Sequence, residues 1–368
     1  MSSSSTDHPA HDETMSSLAI DSPSVRIESR ALYAALIAGV IGALLAIVLE
    51  FLPPLPLFGE WSFGSVAAVA CGITVAVATV VAYRRVLSQP GQEWRRPRSP
   101  VLNVASFTGV VLVHSLFSML VTVVGFLVVS LGFRGLVLDL FWSIVLMTTA
   151  TGLNVWVASL SASHLTTVRL SNMLMRFVAL GTLASTVTAS DPDWWRIHFS
   201  HLGTFGGLSS ILFNGTLIVG GLMVTAFALY VSNDMQPLVA AGVLRNRRSP
   251  GVVSTMFVIM GVMLAGVGLV PVNVSVLIHN LCASGMAFAF AALLLAGPWI
   301  LRGMPRAYFV ASWLFVAAMI LFVFLFTTEF FGLTAFEIVV FALIFGWISV
   351  FIRFLATTGA ALEGCDVG

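Results

Sequence analysis

The sequence contains no lysine, and charged residues of every kind fill only 9% of its 368 positions. Water-soluble domains give about a quarter of their residues to charge. With 58% hydrophobic residues and a mean hydropathy of +1.02, this chain cannot cover itself with a wetted surface. That scarcity excludes an ordinary soluble enzyme, a disordered protein and a secreted disulfide scaffold. It leaves a polytopic membrane protein whose main solvent is lipid. Without lysine, all seventeen basic residues are arginines. A GC-rich coding composition accounts for that bias. Selection for forked contacts to lipid phosphate is the lesser reading. The net charge of +1 gives no field for nucleic acid, so no nucleic-acid partner is expected.

Cysteine is scarce too. Three are too few for a disulfide framework. Cys71 and Cys282 fall in apolar runs and read as packing residues. The ending Cys365-Asp366-Val367-Gly368 is not a prenylation box, because Asp366 is not aliphatic. A phosphate-binding glycine loop, a His-Glu-x-x-His metalloprotease motif, a serine nucleophile elbow and a sizeable soluble domain are all missing.

What is present is a series of apolar runs long enough to cross a bilayer, which takes about 20 residues. Charges and turn residues divide them at 31–51, 62–83, 103–131, 136–160, 170–189, 203–231, 252–271, 277–301, 307–327 and 333–355. The expected fold is all-α, a polytopic transmembrane bundle of about ten helices. Between Ser249 and Leu301 no charge interrupts the run, and Val270-Pro271-Val272-Asn273 supplies the turn that splits it. With an N-in and C-in topology, fourteen arginines fall on inner segments and only Arg134 and Arg196 on outer loops. The expected location is the cell (inner) membrane with both termini cytoplasmic. The expected segments are a disordered tail over 1–29, a four-helix part over 30–165, a six-helix part over 166–356 and a short tail over 357–368.

The acids complement the arginines. Glu50, Glu60, Asp139, Asp191, Asp193, Glu329 and Glu337 all fall at or near the outer side. The densest polar stretch runs from Asp191 to Gly203, before the sixth helix. Trp194 and Trp195 there suit an interfacial aromatic belt. His198 and His201 are three apart and share a face if the helix has already begun. His279, at the outer end of the eighth helix, has a similar depth. These three imidazoles are the candidate metal ligands, with Asp191, Asp193 and Glu329 to complete or orient the shell. The bland reading, with more weight, is a set of hydrogen bonds that fix an outer loop. No cofactor is expected; a bound metal such as zinc is the alternative.

At mid-depth, His114 lies about 16 Å into the third helix at 1.5 Å per residue. Asn154 and Asn214 fall near the same level and are candidate partners. Packing between helices is favoured over a proton relay, because no carboxylate shares that depth. Arg176 sits shallowly in the fifth helix and can snorkel to the headgroups. Small residues at packing spacing, such as Ala35, Gly39 and Ala43, or Gly261 with Gly266 and Gly268, read as close helix contacts.

In the second half, Ser200-His201-Leu202-Gly203 is followed by Leu212-Phe213-Asn214 and by Gly215 to Leu222. Further on, Gly268-Leu269-Val270-Pro271 precedes Ile278-His279-Asn280. This series resembles the DUF998 family of bacterial and archaeal membrane proteins, which is similar in layout to the Frag1/DRAM-like proteins. The likeness spans about residues 168–355. It implies a six-helix core with polar groups at the outer face, preceded by four added helices. The positions matched are Ser200, Gly203, Asn214, Pro271 and His279; His198 lies outside them. The family carries no defined activity.

Three readings of function remain open. The favoured one is a binding or structural role at the outer leaflet, toward a lipid or lipid-linked ligand. The second is an intramembrane enzyme acting on lipid through the outer histidines and carboxylates. The third is a small-molecule transporter, which the scarcity of mid-depth charge disfavours. The outer cluster of Asp191, Asp193, Ser200, His201, His279, Glu329 and Glu337 is the candidate site. The bilayer is the expected partner. Oligomeric state is left open.

Overall fold

The computed structural model describes residues 23–88 and 100–365. Among the described residues, ten helices are long and apolar enough to cross a membrane, and there is no strand. They are α1 (Pro23–Leu49), α2 (Phe63–Leu87), α3 (Pro100–Gly132), α4 (Leu140–Ser163) and α5 (Thr167–Val187). After two 3-10 turns, Trp194–Arg196 and Phe199–Gly203, come α6 (Gly207–Ala240), α7 (Ser249–Leu269), α8 (Val276–Ile300), α9 (Arg306–Thr327) and α10 (Leu333–Cys365).

Helix starts follow local chemistry. Ser62 and Ser65 form a reciprocal capping box at α2, and the Asp139, Thr166 and Ser275 side chains cap α4, α5 and α8. Helix ends depart from the charge-based reading most at four places. Residues 23–29, assigned to the tail, are the first turns of α1, while the rest of that tail lies outside the described residues. The sixth helix starts at Gly207 rather than 203, because Gly206 takes φ +70 and breaks the run. It then continues past 231 to Ala240, and α10 past 355 to Cys365. Charge marks where a helix leaves lipid, whereas the backbone bonds continue until a turn residue stops them.

The chain divides into two compact units. In the first, comprising described residues 23–88 and 125–164, α1 and α2 both lie on α4. Gly39 and Gly42 of α1 sit against Thr148 and Thr151 of α4, and Gly152 faces the carbonyl of Ala35. Thr151 Oγ1 donates to the carbonyl of Ala38 at 3.0 Å. Small residues thus let the two backbones approach, as their spacing suggests. Phe63 and Phe126 meet edge to face at 5.6 Å over Ala46, Ala67 and Met147.

The second unit holds residues 100–124 and 165–365. Its tightest pair is α6 on α7. A Cβ on Gly221 would strike the carbonyl of Gly261, and one on Gly261 that of Gly221. At one end of this unit, the turn after α6 is tied to the turn after α8. Arg245 N–H donates to the carbonyl of Arg302 at 3.0 Å, and Ser249 Oγ donates to the carbonyl of Ile300. Aromatic rings fill the space nearby. Trp347 stacks on Phe351 at 5.3 Å and donates from Nε1 to Ser312 Oγ at 3.1 Å. Only 6% of the most apolar stretch of α9 is buried, so this helix presents most of its surface to lipid. The opposite end of the unit carries residues 188–206.

Candidate functional site

The loop over 188–206 is built in two parts. In the first, Asp191 Oδ1 accepts the N–H of Asp193 at 2.8 Å, making an Asx turn into Trp194–Arg196. Asp193 pairs with Arg196 at 3.2 Å, and the guanidinium lies 5.3 Å over the Trp195 ring. Both ion-pair partners are mostly exposed, so this pair contributes about 0–1 kcal/mol. Asp191 and Asp193 therefore shape the turn.

The second part is anchored by Phe199. Its ring sits 5.1 Å from Phe213 of α6 and 6.2 Å from Phe341 of α10. Its N–H donates to Glu337 Oε2 of α10 at 2.5 Å. Ser200 Oγ, in a buried residue, donates to Glu337 Oε1 at the longer distance of 3.5 Å. Glu337 is thus the carboxylate that holds the loop. Glu329 is exposed at the end of α9, where it takes φ 59 in the turn.

Below the loop, the carbonyl of Gly203 accepts Asn214 Nδ2 at 2.9 Å and Ser210 Oγ at 2.6 Å. A Cβ on Gly203 would collide with Asn214 Oδ1. Ser185 and Ser209 exchange hydroxyl-to-carbonyl bonds at 2.9 and 3.0 Å, which fastens α5 to the start of α6. Asn214 therefore belongs to the loop end and not to the mid-depth set with His114.

Three histidines gather over this floor. His198 bonds Ser200 Oγ through Nδ1 at 3.0 Å, and its ring meets that of His201 at 5.4 Å, edge to face. His198 precedes the 3-10 turn and takes an extended backbone, so the pair is formed by the turn and not by a helix face. His201 Nδ1 lies 3.0 Å from Thr204 Oγ1, which itself donates to the carbonyl of His201 at 2.8 Å. His279, 3% exposed in the first turn of α8, donates from Nδ1 to the carbonyl of Val270 at 2.9 Å. With Ser200 and Thr204 donating elsewhere, all three imidazoles are assigned as Nδ1–H tautomers, leaving Nε2 as an acceptor. Partial burial pushes the His198 imidazole below its ordinary pKa, and the nearby His201 and His279 add to the effect. Among the described residues, no group of three His, Cys, Asp or Glu forms a set that could hold a metal ion.

The other predicted positions lie within the helices. His114, 2% exposed, donates from Nδ1 to the carbonyl of Val110 at 2.8 Å. Asn154 donates to the carbonyl of Ala150 at 2.8 Å and reaches Cys71 Sγ at 3.8 Å. Arg176 is exposed on α5, as Arg169 is, which fits a side chain that snorkels from a lipid-facing surface. Sequence reasoning missed Phe199, Thr204 and Ser210. No spacing signals a backbone N–H that bonds a carboxylate 138 residues away.

A chain whose described residues form ten helices long and apolar enough to cross a membrane is a multi-pass membrane protein. Residues 176–353 match the family model described as protein of unknown function (DUF998), so the family likeness read from the motifs holds over that stretch. The match runs from within α5 to within α10 and takes in every residue of the histidine cluster. No curated protein and no solved structure matches the chain.

Proposed function

We propose that the loop end of the second unit is a binding site at the outer leaflet of the cell membrane, with both termini cytoplasmic, for a lipid or lipid-linked ligand. The orientation rests on the arginine bias, which puts residues 188–206 outside. Trp194, with Trp195 at 54% exposure and Ile197 at 50%, suits a loop seated at headgroup depth.

The observation that carries this reading is the bond from Phe199 N–H to Glu337. It pre-forms the loop against α10, so the partly exposed imidazoles of His198 and His201 stand ready without a ligand having to order them. Their Nε2 atoms are acceptors, which favours a headgroup that offers O–H or N–H donors. An acyl-transfer role is disfavoured by the order of the hydrogen-bond chain. The Ser200 hydroxyl lies between His198 and Glu337, whereas an activated serine needs the imidazole between hydroxyl and carboxylate.

The test compares lipids that co-purify with the wild-type chain and with a His198→Ala/His201→Ala variant, both positions being only partly buried. Extraction and mass spectrometry are expected to find one lipid class enriched over the bulk membrane in the wild type and lost from the variant. Bulk composition in both would overturn the proposal.

A further inference from the structure

A second site lies in the first unit. Both α1 and α2 pack on α4 but scarcely touch each other, which leaves a groove between them. The cavity measures about 620 Å³, within the range of small-ligand sites. Its floor is Ala38 and Val155, and its walls include Ala34, Ile41, Val77 and Ala78. The walls continue into exposed apolar faces of α1 and α2, including Ile37 and Ile73, so the groove opens toward lipid.

One end of the groove is charged. Arg30 near the start of α1 and Arg85 in the last turn of α2 both line it, and no carboxylate does. Among the described residues, neither Arg30 nor Arg85 forms a salt bridge. Two forked cations at the mouth of an apolar trough match the phosphate and acyl chain of an anionic amphiphile. By the arginine bias this end is cytoplasmic, where anionic lipids give the surface its negative potential.

We propose that this groove holds an anionic phospholipid of the inner leaflet, with one acyl chain between α1 and α2 and its phosphate on Arg30 and Arg85. The site is independent of the loop end, since it uses other helices, another unit and the opposite membrane face.

The experiment is native mass spectrometry of the full chain in detergent, titrated with phosphatidylglycerol, phosphatidylcholine of the same acyl chains, or glycerol phosphate. The wild type is expected to retain phosphatidylglycerol over phosphatidylcholine by about tenfold, equivalent to ~1.4 kcal/mol, and to hold no glycerol phosphate. An Arg30→Gln/Arg85→Gln variant, altered only at exposed positions, loses the preference. An Ala34→Trp variant, which fills the trough, loses both lipids. A His198→Ala/His201→Ala variant keeps the preference, so this proposal and the loop-end proposal fail separately. Equal retention of the two lipids by the wild type, or an unchanged preference in the arginine variant, overturns it. So does a dimer in place of lipid adducts, or lipid binding that appears only after removal of residues 1–22.

Discussion

The Glu337 carboxylate accepts the backbone N–H of Phe199 at 2.5 Å, joining positions 138 residues apart. Loss of this acceptor would leave a partly buried N–H without a partner, which costs about 1–3 kcal/mol. Glu337→Ala is therefore expected to lower loop stability by about 2 kcal/mol. Hydrogen exchange over Phe199–Gly203 should quicken while the amides of α6 and α7 keep their protection. Asp193→Ala, which removes only an exposed ion pair, should leave that exchange unchanged.

The His198 imidazole carries a pH dependence of definite sign. Its pKa in the folded chain is lowered by burial and then by His201 and His279. Below its ordinary value of 6.5, the unfolded loop binds more protons than the folded one. Loop stability is therefore full above that value, falls as pH drops toward the depressed pKa, and levels off beneath it. Exchange at Ser200 and His201, corrected for intrinsic rates, should rise on acidification from about pH 7 to about pH 5. The rise should be smaller in His198→Asn.

Much of the scaffold is legible in the chain order, and the site only in part. Ten crossings follow from apolar length and from where arginines interrupt it, because lipid admits few other arrangements. Helix ends are less readable. The polar stretch Ser232–Gln236 looks like a loop yet stays helical, and Gly206 rather than a charge starts α6. Within the site, Ser200, Gly203, Asn214 and His279 stand out through the family likeness. The pairing of His198 with Ser200 and the choice of Glu337 over Asp191, Asp193 and Glu329 depend on how a loop folds back onto a distant helix. Local pattern does not encode that contact.

Gly203 is a packing position, and its substitution should show this. A methyl group there meets Asn214 Oδ1, so Gly203→Ala should cost about 1–3 kcal/mol through overpacking. Asn214→Ala makes room for the methyl while giving up the bond to the Gly203 carbonyl. The double variant should then be more stable than the sum of the two single losses implies, as thermal unfolding in detergent would record.

Sidedness can be read with an impermeant thiol reagent. In a chain freed of its native cysteines, Ile197→Cys should be labelled from outside intact cells. Arg247→Cys should react only after permeabilisation. Both positions are exposed, so access depends on the membrane face alone.

Ligand binding at the loop end is most directly tested by replacing Ile197, 50% exposed beside His198, with a photoreactive residue and illuminating whole cells. Mass analysis of the cross-linked peptide should find a single lipid class attached, and the adduct should fall about tenfold when Glu337→Ala releases the loop. Adducts that mirror the bulk membrane and persist undiminished in the Glu337→Ala chain would contradict a pre-formed binding site.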